Sequence, residues 1–130
     1  MSNRRVVVTG LGCITPIGKN VEETWNGIEN GVCGVDIMKL VNPETFKTKM
    51  DAEVKDYNPH DYFDVKQARR LDKSSQFALI AAREAFADSG ISEENTDFNN
   101  VGIFWGGLGD LRGNIGKINF SGGGGEKCRV

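Results

Sequence analysis

Phe77-Ala78-Leu79-Ile80-Ala81-Ala82-Arg83-Glu84-Ala85-Phe86-Ala87 is the stretch that decides the fold, because only Arg83 and Glu84 among its eleven residues are polar. A helix that is apolar nearly all round has to be buried nearly all round. Small domains keep much of their surface wet, so few folds of 130 residues hold enough material to wrap such a helix. The pattern points to a body larger than this one chain supplies. Outward from it, the helix is expected to run from about Asp64 to Ser89, with Gly90 as its stop.

Towards the N-terminus, Asn20 and Glu23 form a capping-box pattern that opens a second helix. Val21, Trp25 and Ile28 follow at i, i+4 and i+7 and predict one buried face, with Asn30-Gly31 as the stop. Arg4 to Thr9 reads as a strand, its unbroken Val6-Val7-Val8 run suiting coverage on both faces. Val101 to Trp105 reads as another buried strand, and Val35–Leu40 and Lys47–Val54 as short strands in a region punctuated by Pro43 and Pro59. The class is therefore α/β. Between the first strand and helix, Gly10 and Gly12 let the chain turn sharply and Pro16 fixes a turn. Beyond Leu111 the character changes, and the run Gly122 to Gly125 predicts a mobile tail over 112–130.

Composition excludes several functions. With 16 basic and 18 acidic residues the net charge is −2, which gives no reason to expect a nucleic-acid or membrane partner. The nearest basic clusters, Arg69-Arg70 and Lys47/Lys49, read as solvated helix faces. No apolar run is long enough for a membrane span, and the N-terminus lacks the apolar core of a secretory signal, so a cytoplasmic setting is expected. Cys13, Cys33 and Cys128 are too few and too widely spaced for a disulfide framework or metal motif, and His60 is the only imidazole. They read as reduced thiols, at least two of them small packing residues.

Motif spacing refuses two further chemistries. A dinucleotide fingerprint starting at Gly10 needs glycine where Thr15 stands, and Gly18-Lys19-Asn20 lacks the hydroxyl of a phosphate-binding loop. Cys13 as a nucleophile would need a base, and nothing in the pattern ties it to His60 in its Pro59-His60-Asp61 loop. Asp72 and Glu84 lie more than three helical turns apart, too far for paired acid/base work.

The order of segments carries more than any one of them. Val6-Val7-Val8-Thr9-Gly10-Leu11-Gly12 with Thr15-Pro16-Ile17-Gly18 resembles the opening of elongating β-ketoacyl-ACP synthases. Trp25 and Gly31-Val32-Cys33-Gly34-Val35 match that family's Trp-containing helix and its G-x-S/C-G-I/V segment. Arg69-Arg70-Leu71-Asp72-Lys73-Ser74-Ser75-Gln76-Phe77-Ala78 resembles its R-R-M-D-x-x-x-Q-Y/F-A helix, continuing to Asp88-Ser89-Gly90. Gly106-Gly107-Leu108-Gly109-Asp110 departs from the family's G-S-G-I-G-G by one residue and by its missing serine.

The resemblance implies the N-terminal part of a thiolase-like, layered α/β/α/β/α fold, incomplete here, with 1–111 as the family-like segment and 112–130 divergent. Complete members are roughly three times as long and build two related halves around one site. They condense acyl-ACP with malonyl-ACP through an acylated cysteine and two histidines, with no metal or dissociable cofactor. Acyl carrier protein and its acyl and malonyl thioesters are the implied partners, and the family is homodimeric. Those three catalytic residues fall later than this sequence reaches, so no catalytic residue is carried over and this chain alone is expected to be inactive. Leu108 is the counterpart of the isoleucine bordering the family's acyl-chain pocket. The alternative is a non-catalytic, ketosynthase-like scaffolding module that docks onto a complete enzyme.

Overall fold

The computed structural model describes residues 4–106. Helix α1, Val21–Glu29, begins where Asn20 Oδ1 accepts the Glu23 amide at 2.8 Å. The Glu23 carboxylate answers one residue earlier than a capping box would, at the Lys19 amide (2.7 Å). Its C-terminus is closed by a Schellman motif: Gly31, at φ +65°, donates to Ile28 O and Val32 donates to Gly27 O. The expected buried face is corrected. Trp25 and Ile28 are 58% and 57% exposed, and α1 instead turns Thr24 and buried Gly27 towards the preceding turn. Small residues win that face because backbone has to approach it closely.

A short antiparallel pair follows, β1 (Asp36–Ile37) and β2 (Met50–Asp51), in register Asp36 to Asp51 and Ile37 to Met50. The connecting region thus forms strands as expected, though shorter, and Pro43 and Pro59 each open a single 3₁₀ turn. Lys47 and Lys49 lie off any helix, and Lys49 pairs with Glu44 at 2.8 Å.

The long helix is in fact two. Helix α2 spans Val65–Arg70 and α3 spans Lys73–Ser89. Leu71 is extended (ψ 133°) and Asp72 caps α3, its Oδ1 accepting the Ser75 amide at 2.7 Å. A short acceptor side chain two residues before serines competes with helix continuation, which is why the chain breaks there. Gly90 ends α3 at φ +67°, as expected.

Phe63, Ala78 and Ile80 form the buried apolar core, beside Tyr57 set edge-on to Phe77 at 4.9 Å. All-round burial of α3 is not met among the described residues: Arg83, Phe86 and Ala87 are exposed. Segments 4–9 and 101–105 are exposed and form no ladder with each other or with any other described residue, so neither is a strand here. A strand needs a hydrogen-bonding neighbour, and these segments have no ladder partner among the described residues.

Candidate functional site

The best-built polar cluster joins the glycine turn to α3. Glu84 Oε2 accepts the Cys13 amide (2.9 Å) while Oε1 accepts the Val21 amide (2.8 Å). One turn of helix later, Asp88 Oδ2 accepts the Leu11 amide (2.9 Å). Between these bonds the turn lies flat on the helix. A Cβ at Gly10 would collide with the Ala85 carbonyl oxygen, and one at Gly12 with that of Ala81. The glycines therefore serve close approach to α3, a stronger reason for them than a sharp exit from a strand. Thr15 and Gly18 close a β-turn around Pro16 by exchanging backbone bonds of 2.8 and 3.4 Å.

This geometry settles two candidate chemistries. A phosphate-binding turn offers free amides to its anion, whereas here the Leu11 and Cys13 amides are already taken by carboxylates, which would repel a phosphate. Cys13 is half-buried; its thiol donates to Thr24 Oγ1 at 3.4 Å, and Thr24 in turn bonds Thr15 Oγ1 at 3.1 Å. His60 is exposed on its 3₁₀ turn, its amide bonded to Asn58 Oδ1, with no bond to Cys13. Cys33 is exposed, so it is not one of the small packing residues expected among the three thiols. Cys128, Leu108 and the tail expected to be mobile lie outside the described residues. No group of His, Cys, Asp and Glu among the described residues could hold a metal ion. No helix among them is long and apolar enough to cross a membrane.

Two open hollows flank the clamp. One, of about 390 Å³, is apolar and lies between Gly12, Cys13 and Ile14 of the turn, Phe77 and Ala81 of α3, and Trp105. The other, of about 360 Å³, lies between Lys19, Glu23, Tyr62 and Arg83. Its cations are engaged: Lys19 Nζ donates to Asp56 O (3.0 Å) and Arg83 to Tyr62 O (3.2 Å), with the guanidinium over the Phe63 ring.

Helix α2 carries a cluster of exposed positive charge. Lys66, Arg69 and Arg70 sit at i, i+3 and i+4 and so share one face, all exposed, and none has an ion-pair partner among the described residues. Arg69 and Arg70 also suit the negative end of α2. Sequence reading took the arginine pair for a solvated face and missed Lys66, whose i, i+3 spacing was the available signal. It also missed Glu84 and Asp88 as a clamp, although charged residues at i and i+4 flanking an apolar run are worth that question. Asp72, once weighed with Glu84 for acid/base work, is a helix cap, held below the usual carboxylate range by bonds from Ser75 and Ser74.

A family model, "Beta-ketoacyl synthase, N-terminal domain", matches residues 3–122. The 3-oxoacyl-[acyl-carrier-protein] synthase 2 of Staphylococcus aureus (strain N315) is 36% identical over 110 residues, 84% of this chain and 27% of that protein. The protein of the same name from Coxiella burnetii is 38% identical over 103 residues, covering 79% of this chain and 25% of its own. Among solved structures, one described as the ishigamide ketosynthase/chain length factor superposes with a TM-score of 0.60 at 32% identity. That superposition covers 72% of this chain and 23% of the other. The chain spans about a quarter of the length of the curated relatives it matches.

Proposed function

The chain belongs to the β-ketoacyl synthase family through that family's N-terminal domain, and from this premise we propose that it forms the opening segment of a condensing enzyme of fatty acid elongation. In the reaction, the C2 carbon of a malonyl thioester forms a bond to an acyl carbonyl carbon. The malonyl carboxylate leaves as carbon dioxide, and the thiolate that carried the acyl group is released. The family match over residues 3–122 is the observation that carries the reading. It takes in the turn, all three helices and the exposed segments 4–9 and 101–105.

Within such an enzyme this segment is framework and docking surface. Cys13 bonded to Thr24 and His60 exposed on its own loop support assigning it no nucleophile–base pair. Leu108 is assigned to the border of the acyl-chain pocket by resemblance, residues 112–130 to a divergent continuation, and the setting to the cytoplasm. The three cations of α2, which have no ion-pair partner among the described residues, support an anionic carrier protein as the docking partner.

A turnover assay with acyl and malonyl groups on acyl carrier protein tests the reading. The 130 residues alone are expected to form no 3-oxoacyl product, and a chain extended by the remaining length of its relatives is expected to form it. Product from the short chain would overturn the framework role; none from the long chain would overturn the family activity. In the long chain, replacing Lys66, Arg69 and Arg70 by alanine is expected to raise KM for carrier-borne substrate about tenfold with kcat unchanged. An unchanged KM would remove the docking surface from the proposal.

A further inference from the structure

Gln76 is the one polar side chain in the buried set among the described residues, at 5% exposure, and it ties three elements together. Its Nε2 donates to Ala68 O (2.9 Å) and to Leu71 O (3.1 Å), and its Oε1 accepts the Tyr57 hydroxyl at 2.7 Å. Ala68 O belongs to the last turn of α2, whose carbonyls have no partner within the helix. Leu71 is the extended residue between α2 and α3, the place where the two helices would swivel. From the other side, Tyr57 is stacked on Tyr62 with ring centroids 6.0 Å apart.

A helix as short as α2 has little stability of its own. The direction in which Lys66, Arg69 and Arg70 face is therefore set by what holds the helix from outside, and Gln76 grips its C-terminal end. We infer that Gln76 is a positioning residue for carrier docking: its carboxamide locks the α2–α3 elbow, so that the cationic face of α2 meets an anionic partner in one preset orientation. Pre-setting the face removes an ordering step from binding. The inference rests on the docking reading given above.

The test is a double-mutant cycle read by calorimetric titration of the full chain with purified holo acyl carrier protein. The forms are wild type, Gln76→Leu, the triple alanine variant of Lys66, Arg69 and Arg70, and the two combined. Gln76→Leu is expected to raise Kd about tenfold, which converts to about 1.4 kcal/mol. In the triple background it is expected to raise Kd no more than about twofold, because no cations are left to orient. An equal factor in both backgrounds, or no effect in the first, overturns the inference. A triple variant that binds as tightly as wild type sinks the docking reading and the inference with it, whereas lost binding in the triple with none lost in Gln76→Leu sinks the inference alone. Hydrogen exchange gives a readout independent of the partner: amides of α2 are expected to exchange about tenfold faster in Gln76→Leu while those of α1 do not. Unchanged exchange in α2 overturns the inference. Where Gln76→Leu does not fold, Tyr57→Phe keeps both Gln76 donor bonds, and smaller effects of the same sign in both measurements are expected; no effect in either overturns it.

Discussion

Glu84 shows how much one side chain does in a chain with so small a core. Its two oxygens satisfy the Cys13 amide in the turn and the Val21 amide at the start of α1, so removing it leaves both donors unmatched. Each unmatched donor costs about 1–3 kcal/mol when shielded from water and less where water reaches it. Glu84→Ala is therefore expected to destabilise the fold by about 2 kcal/mol, measured as a shift of the urea midpoint. Glu84→Gln keeps one acceptor oxygen and is expected to lose about half as much. If both variants melted like wild type, the turn would not depend on the clamp. Tyr57 sets a pH limit at the same scale. Burial first, then the neighbouring Tyr62, raises its phenol above the ordinary 10.0. The folded state then holds this proton more tightly than the unfolded chain. Its contribution is fully present below pH 10 and is lost as pH climbs through the higher folded value. Tyr57→Phe is expected to flatten the decline in stability above that pH.

Among the elements, α2 and α3 depend on the break between them. Asp72 caps α3, and the bonds from Ser75 and Ser74 hold its carboxyl low. A lowered carboxylate contributes stability above its unfolded value of 3.8, and that contribution disappears as pH falls through the lower folded value. Asp72→Ala is expected to lose about 1 kcal/mol at neutral pH, the usual effect of removing a cap. It should also lessen the acid sensitivity of the melt, and a variant with an unaltered acid limb would contradict the assignment. The sequence made the cap at Asn20, the helix start near Asp64 and the stops at Gly31 and Gly90 readable, because each rests on neighbouring residues alone. It did not make the break at Leu71 readable, since the cap signal of Asp72 with Ser74 and Ser75 lies inside a longer run that reads as one helix. The face of α1 went wrong for a different reason. Apolar spacing marks a face suited to cover, while the described residues turn Thr24 and Gly27 inward instead.

At the level of the whole molecule, the apolar periodicity and the exposure disagree, and the disagreement is informative. Val6 is 89% exposed and Phe104 97%, both in segments whose composition suits a strand covered on two faces. The class and kinship were legible because they lie in the order of motifs; the pairing of those segments was not, because a strand is defined by a neighbour. The isolated chain is expected to bind a dye that reports exposed apolar surface and to melt over a broad range. A sharp, cooperative transition without dye binding would show that these residues find cover among themselves.

The way the glycine turn rests on α3 has a consequence for how this protein can vary. On the turn's side main-chain atoms make the contact: amides of residues 11 and 13 reach the Asp88 and Glu84 carboxylates, and the bare α-carbons of Gly10 and Gly12 sit against helix carbonyls. The grip is thus blind to which side chain occupies position 11, whereas the Cys13 thiol is held by Thr24. In a saturation library selected for folding, exposed Leu11 should accept many replacements other than proline while Gly10 and Gly12 accept none, an alternation of latitude and rigidity from one residue to the next.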